Sequence, residues 1–206
     1  MKNLTLTALL CLITIGAAYA QTANQGFGTP TNATSQTDKN FDTDEEISWT
    51  EVWYGINGAT AIEKGNKMYK RDTKPVNLGA AFSRRTENRT VYTLGLSYVT
   101  KGYKYTFEGE TDTWSPTYLQ GYFDIGYAMF ARKNFVPYVG VTLGALLAKD
   151  GGEDLKSSEL GYEVGFKVYI NKVFISAGLE NGITEFAKEY SKAKFSSVYL
   201  RAGYRF

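Results

Sequence analysis

The sequence predicts an all-β fold, an eight-stranded antiparallel up-and-down barrel that crosses a membrane with its strands. Three observations carry this. From Ser48 to the C-terminus apolar residues recur with a period of two, and long polar connections alternate with short turns. After residue 20 no apolar run approaches the roughly 18 residues that a membrane helix needs. The last ten residues, 197–206, show the pattern most sharply: Val198, Leu200, Ala202, Tyr204 and Phe206 share one face, and Tyr199, Arg201, Gly203 and Arg205 the other. A strand with a large apolar face and an arginine-bearing face requires an apolar medium outside and a polar interior.

The first element, residues 1–20, reads as a secretory signal: Lys2, an apolar stretch from Leu4 to Ala17, and Ala18-Tyr19-Ala20 as a cleavage site. A lipoprotein reading of Cys11 fails, because Leu10 stands where a small residue is required and apolar residues continue beyond it. Residues 21–47 are polar and turn-rich, with too few apolar side chains to offset the entropy of ordering, so a flexible periplasmic segment is expected there. The barrel domain is 48–206. Its strand segments fall at roughly 50–60, 75–85, 90–106, 116–129, 135–148, 160–170, 173–185 and 196–206, each long enough for the ~9–11 tilted residues that span a bilayer.

Within these segments the outward positions include Val76, Leu78, Ala80 and Phe82; Leu119, Phe123, Ile125, Tyr127 and Met129; Val139, Val141, Leu143, Ala145 and Leu147; and Tyr162, Val164, Phe166, Val168 and Ile170. Long connections occupy about 61–74, 107–115, 149–159 and 186–195, and short turns lie at 86–89, 130–134 and 171–172. Four long and three short connections suit eight strands with both ends on the short-turn side. The two-residue turn at Asn171-Lys172 sets a register in which Ile170 faces Val173, Val168 faces Ile175 and Phe166 faces Ala177, all outward. The same register places Lys167 opposite Ser176, Gly165 opposite Gly178 and Glu163 opposite Glu180 on the inner face, and both faces are chemically consistent.

Composition bounds the chemistry. The sequence has no histidine and one cysteine, and Cys11 leaves with the signal. That excludes disulfides, metal sites built on Cys or His, and hydrolytic triads that use histidine as base. We expect no enzyme activity, no metal and no cofactor. Subtracting Lys2 from the 23 basic residues leaves 22 against 21 acidic ones, and this near-neutral balance points to no nucleic-acid partner.

Several stretches resemble the small outer-membrane β-barrel, or porin-family, domain of Bacteroidetes-type bacteria. They are Tyr98-Val-Thr-Lys-Gly102, Tyr118-Leu-Gln-Gly-Tyr122, Val136-Pro-Tyr-Val-Gly-Val-Thr-Leu-Gly144, Gly161-Tyr-Glu-Val-Gly165, Gly182-Ile-Thr184 and Leu200-Arg-Ala-Gly-Tyr-Arg-Phe206. The resemblance runs from about Trp53 to Phe206 and implies a barrel inserted into the outer membrane by the barrel assembly machinery. It also implies a C-terminal assembly signal in Tyr204 and Phe206, and no catalytic residues. The chain departs from the family pattern at Gly178, where an inward arginine is usual.

Candidate functional residues lie in the lumen and on the loops. Two carboxylates directly opposite one another should repel, so Glu163 and Glu180 form either a proton-sharing acid pair or part of an ion network compensated by Lys167, Arg201 or Arg205. With Gln120 and Asp124 these residues make up the predicted lumen network. Eight strands enclose an interior about wide enough for side chains to fill, and Tyr122, Tyr138, Tyr169, Phe174 and Tyr199 are the expected aromatic fillers. Outward Tyr54, Tyr92, Tyr98, Phe123, Tyr127, Tyr204 and Phe206 suit interfacial girdles. Lys64, Lys67, Lys70, Arg71, Lys74, Lys188, Lys192 and Lys194 make the first and last loops basic, either as a solvated rim or as a surface for anionic lipid headgroups, and outer-membrane lipid and lipopolysaccharide are the expected partners. The sequence therefore reads as a monomeric outer-membrane barrel with a filled lumen, an envelope structural or surface-interaction protein acting through its loops. The alternatives are a narrow-pore porin or small-solute channel and, for the fold, a soluble ligand-binding barrel.

Overall fold

The computed structural model describes residues 46–63, 66–67, 70–71, 76–107, 110–130, 134–149, 155–185 and 193–206. The predicted signal segment, nearly all of the 21–47 segment, and Lys64, Lys74, Lys188 and Lys192 lie outside the described residues. Eight long strands form the wall: β1 (Ile47–Glu63), β2 (Val76–Arg85), β3 (Thr90–Thr100), β4 (Thr117–Tyr127), β5 (Phe135–Ala148), β6 (Ser158–Ile170), β7 (Val173–Gly182) and β8 (Lys194–Arg205). Each pairs antiparallel with the next, and β8 pairs with β1 from Glu51↔Arg205 to Ile62↔Lys194, which closes the barrel. The register at the tight turn is Ile170↔Val173 through Glu163↔Glu180, and Asn171 takes the left-handed backbone conformation (φ 56°) that this turn requires.

Closure has a measurable stagger. A row of paired residues leaving β1 at Trp49 passes through Ser83, Thr93, Asp124, Gly140, Glu163, Glu180 and Ser197, and returns to β1 at Ala59. The row is displaced by ten residues, from 49 to 59. Eight strands with that stagger tilt by about 40° from the barrel axis.

Strand bounds differ from the sequence expectation at the long-loop end. The third segment ends at Thr100 rather than near 106, and a new strand, Tyr103–Phe107, begins in the connection. There it forms a small separate sheet with Lys70–Arg71 and Glu110–Trp114, so the predicted second loop is in part extended structure. β6 starts at Ser158, which brings Glu159 into the wall, and β7 stops at Gly182 rather than near 185.

The apolar and polar faces are inverted relative to a water-soluble barrel. Leu94, Leu143 and Ile170 are 64%, 62% and 63% exposed on the outside, as are Tyr54, Val139 and Val173 among many others. Inside, Glu51, Arg85, Lys101, Asp124, Glu163, Lys167, Glu180 and Arg201 are buried. Period-two alternation along each strand produces both faces at once.

Candidate functional site in the lumen

The inward residues form three layers. At the short-turn end, Ile47, Trp49, Val91, Val136, Tyr169 and Phe174 pack into an apolar cluster around one carboxylate. Glu51 accepts hydrogen bonds from Trp49 Nε1 (2.7 Å) and Tyr169 OH, and its second oxygen accepts from Lys167 Nζ at 2.7 Å. The Trp49 and Tyr169 rings meet edge to face at 5.8 Å and exclude water from the pair. A cavity of about 10 Å³ beside Asp124, lined also by Thr93, Tyr138 and Lys167, has room for one water.

In the middle layer the Arg201 guanidinium lies 3.9 Å from the Tyr199 ring centre, with Trp53 and Tyr122 at 5.7 and 5.8 Å. Its Nη2 is 3.6 Å from Glu163 Oε2. Tyr138 OH is 2.6 Å from Tyr199 OH and 3.2 Å from Ser176 Oγ. Glycines make this layer possible. Gly95, Gly165 and Gly178 are the register partners of Tyr122, Tyr138 and Tyr199, and a Cβ on any of them would collide with that tyrosine ring. Gly178 is thus the floor on which Tyr199 lies, and Arg201 of the neighbouring strand stacks on the same ring.

At the long-loop end, Lys101 Nζ donates to Glu159 Oε2 at 2.9 Å and to Glu180 Oε1 at 2.7 Å. Gln120 Nε2 (2.6 Å) and Thr142 Oγ1 (3.3 Å) donate to the same Glu180 oxygen. Above them Val99, Tyr118, Leu155, Ala193 and Phe195 form a second apolar cluster. Leu155 belongs to the β5–β6 connection and Ala193 immediately precedes β8, so the connecting segments themselves supply part of this cap.

These contacts revise the predicted network. Glu163 and Glu180 are register partners, but they are compensated separately: Glu163 by Arg201, and Glu180 by Lys101. Lys167 turns away from both and pairs with Glu51, because the stagger carries it toward the short-turn end. Arg205 meets neither carboxylate. Its Nε donates to Asn171 O at 2.8 Å and its guanidinium lies 5.7 Å from the Tyr169 ring, since position 205 sits beside the 171–172 turn. Asp124 is buried, and its carboxyl lies across Gly140, the residue between it and Glu163 in the register row, and meets the Glu163 carboxyl. Glu51, Lys101 and Glu159 were missed. Strand parity would have shown them: 51 and 101 lie within the predicted first and third segments, on the faces of Trp53 and Val99, and 159 lies one residue before the predicted sixth, on the face of Glu163. Tyr204 and Phe206 face outward with their rings 5.0 Å apart.

No protein-family model matches the chain, and no curated protein matches it. Among solved structures it is similar to Neisserial surface protein A, with 13% identity and a TM-score of 0.50 over 76% of this chain and 97% of that one. It also aligns with the N-terminal β-barrel domain of Pseudomonas aeruginosa OprF, at 16% identity and TM-score 0.39 over 78% and 100% of the two chains. Ail, the attachment invasion locus protein of Yersinia pestis, aligns at 14% identity and TM-score 0.35 over 79% and 99%. The likeness to Neisserial surface protein A is one of fold: this chain is a closed eight-stranded antiparallel barrel.

Proposed function

We propose that the protein is an outer-membrane β-barrel with a side-chain-filled lumen, a structural or surface-interaction component of the envelope that acts through its extracellular loops. The observation that carries this reading is the inverted barrel, with a continuous apolar wall outside and ion pairs inside. Such a wall is stable only against hydrocarbon. The Tyr92–Phe123 and Phe135–Phe166 ring pairs and the Tyr204–Phe206 pair supply aromatic surface suited to a lipid interface. Tyr204 and Phe206 then serve as the signal read by the barrel assembly machinery, and outer-membrane lipid and lipopolysaccharide are the surrounding partners. Kinship with the Bacteroidetes-type porin-family domain rests on the sequence motifs alone.

The filled lumen favours a closed barrel over a constitutive pore. Aromatic rings block the short-turn end, and the Leu155–Phe195–Tyr118 cluster blocks the other. The hydroxyls that meet carboxylates, Tyr169 on Glu51 and Thr142 on Glu180, are buried within or beneath these clusters and closed to substrate, which supports a non-enzymatic role. Fractionation followed by gel migration with and without heating, and planar-bilayer conductance on the same sample, tests the reading. Expected are recovery in the outer membrane, heat-modifiable migration and no conductance. Release of the protein by salt without detergent would overturn it.

A further inference from the structure

Glu163 meets the Asp124 carboxyl, while its register partner Glu180 is taken up by Lys101, Gln120 and Thr142. Asp124 on β4 and Glu163 on β6 are both register partners of Gly140, so their Cα atoms lie two strand spacings, about 10 Å, apart. The glycine between them lets the side chains converge: Asp124 Oδ1 occupies the place that a Cβ on Gly140 would take. Asp124 is 3% exposed and Glu163 is fully buried. Arg201 Nη2 faces Glu163 Oε2 at 3.6 Å, and no N–H or O–H group among the described residues donates a hydrogen bond to either Glu163 oxygen. Two ionised carboxyls offer each other only acceptors and repel in a dry site. A proton on one of them turns the same contact into a hydrogen bond.

The groups around the pair leave room for that proton. Arg201 of β8 compensates one negative charge, Lys167 of β6 donates to Glu51 of β1 at 2.7 Å, and Glu180 of β7 is bound by Lys101. Arg85 of β2 sits one inward position nearer the short-turn end and has interactions of its own, and β3 contributes the neutral Thr93. The titratable hydroxyls are those of Tyr122 on β4, Tyr138 on β5 and Tyr199 on β8. The small cavity beside Asp124, lined also by Thr93, Tyr138 and Lys167, gives the pair a neighbouring water site through which a proton can pass.

We propose that Asp124 and Glu163 bind one proton between them, in a carboxyl–carboxylate hydrogen bond that ties β4 to β6 across Gly140 and makes the barrel's stability depend on pH near neutrality. The proposal stands on the barrel lumen and not on the membrane address. The chain has no histidine, so no unperturbed side chain changes charge between about pH 6 and 8. In that range the folded state holds one more proton than the unfolded chain, whose carboxyls are ionised, so stability falls as pH rises. The test uses the full chain folded in detergent micelles. The unfolding constant from urea titration should rise about tenfold per pH unit until the pair releases its proton. At the low end of the range the infrared spectrum should show the carbonyl band of a protonated carboxylic acid. Asp124→Asn supplies an amide donor in place of the proton, so it should flatten the slope and remove the band. Glu163→Gln should do the same and serves where the first variant does not fold. A flat slope in the parent overturns the proposal without any variant. A slope and band that persist unchanged in the variants would also overturn it, because they would belong to another carboxyl such as Glu159.

Discussion

The two ends of the barrel are closed by different means. At the short-turn end one carboxylate, Glu51, meets one ammonium, Lys167, and the Trp49 and Tyr169 donors complete its hydrogen bonding. All four residues belong to wall strands that converge near tight turns. At the long-loop end one ammonium, Lys101, serves two carboxylates, Glu159 and Glu180, under a cap that includes Leu155 from a connection. The first arrangement is balanced and built by strand parity. The second is charge-deficient and depends on segments whose course strand parity does not specify. Sensitivity of stability to substitution is therefore expected to be greater at the second end.

The largest effect should come from Lys101→Met, which leaves Glu159 and Glu180 buried without their shared cation. A loss of about 3–5 kcal/mol in urea unfolding from micelles is expected. Lys167→Met provides the contrast: Glu51 keeps two donors, so the loss should be smaller, about 1–3 kcal/mol. Equal losses would dissolve the distinction between the two ends. Leu155→Ala should cost about 2 kcal/mol, the low end for a buried leucine, because a connecting segment can settle into the space. Gly178→Ala probes the layer between the ends, since its Cβ would meet the Tyr199 ring and must displace it. An overpacking cost of about 1–3 kcal/mol is expected there, and the paired variant Gly178→Ala with Tyr199→Phe, which removes the hydroxyl in the way, should recover part of it.

The smallest effect lies outside the lumen. Glu46, just before β1, pairs with Arg84 at 2.6 Å. The hydrogen bond from Arg84 and its charge hold the Glu46 carboxyl below the usual carboxylate range. A carboxyl so depressed contributes stability above its unfolded-state value and loses that contribution as pH falls through its folded-state value. Unfolding of Glu46→Gln should match the parent in acid and fall only slightly below it at neutral pH, since both partners are exposed.

Much of this architecture was legible in the chain. Period-two alternation alone distinguishes wall positions facing out from those facing in, and the Asn171-Lys172 turn sets the β6–β7 register from Ile170↔Val173 to Glu163↔Glu180. The aromatic fillers, the buried amide at 120 and the buried charges at 124, 163, 167, 180 and 201 follow from the same parity. What parity cannot supply is height. A residue's neighbours across the lumen depend on the ten-residue stagger accumulated around eight strand pairs, and only closure of β8 on β1 defines that. That stagger sends Lys167 to Glu51, leaves Arg205 at the 171–172 turn, and lets Lys101 meet Glu159 and Glu180 from a position beyond its own strand. The sequence by itself determined which face each side chain occupies, because alternation is a local property of extended backbone. Only the tertiary structure decided which charges meet, because that is a property of the closed ring.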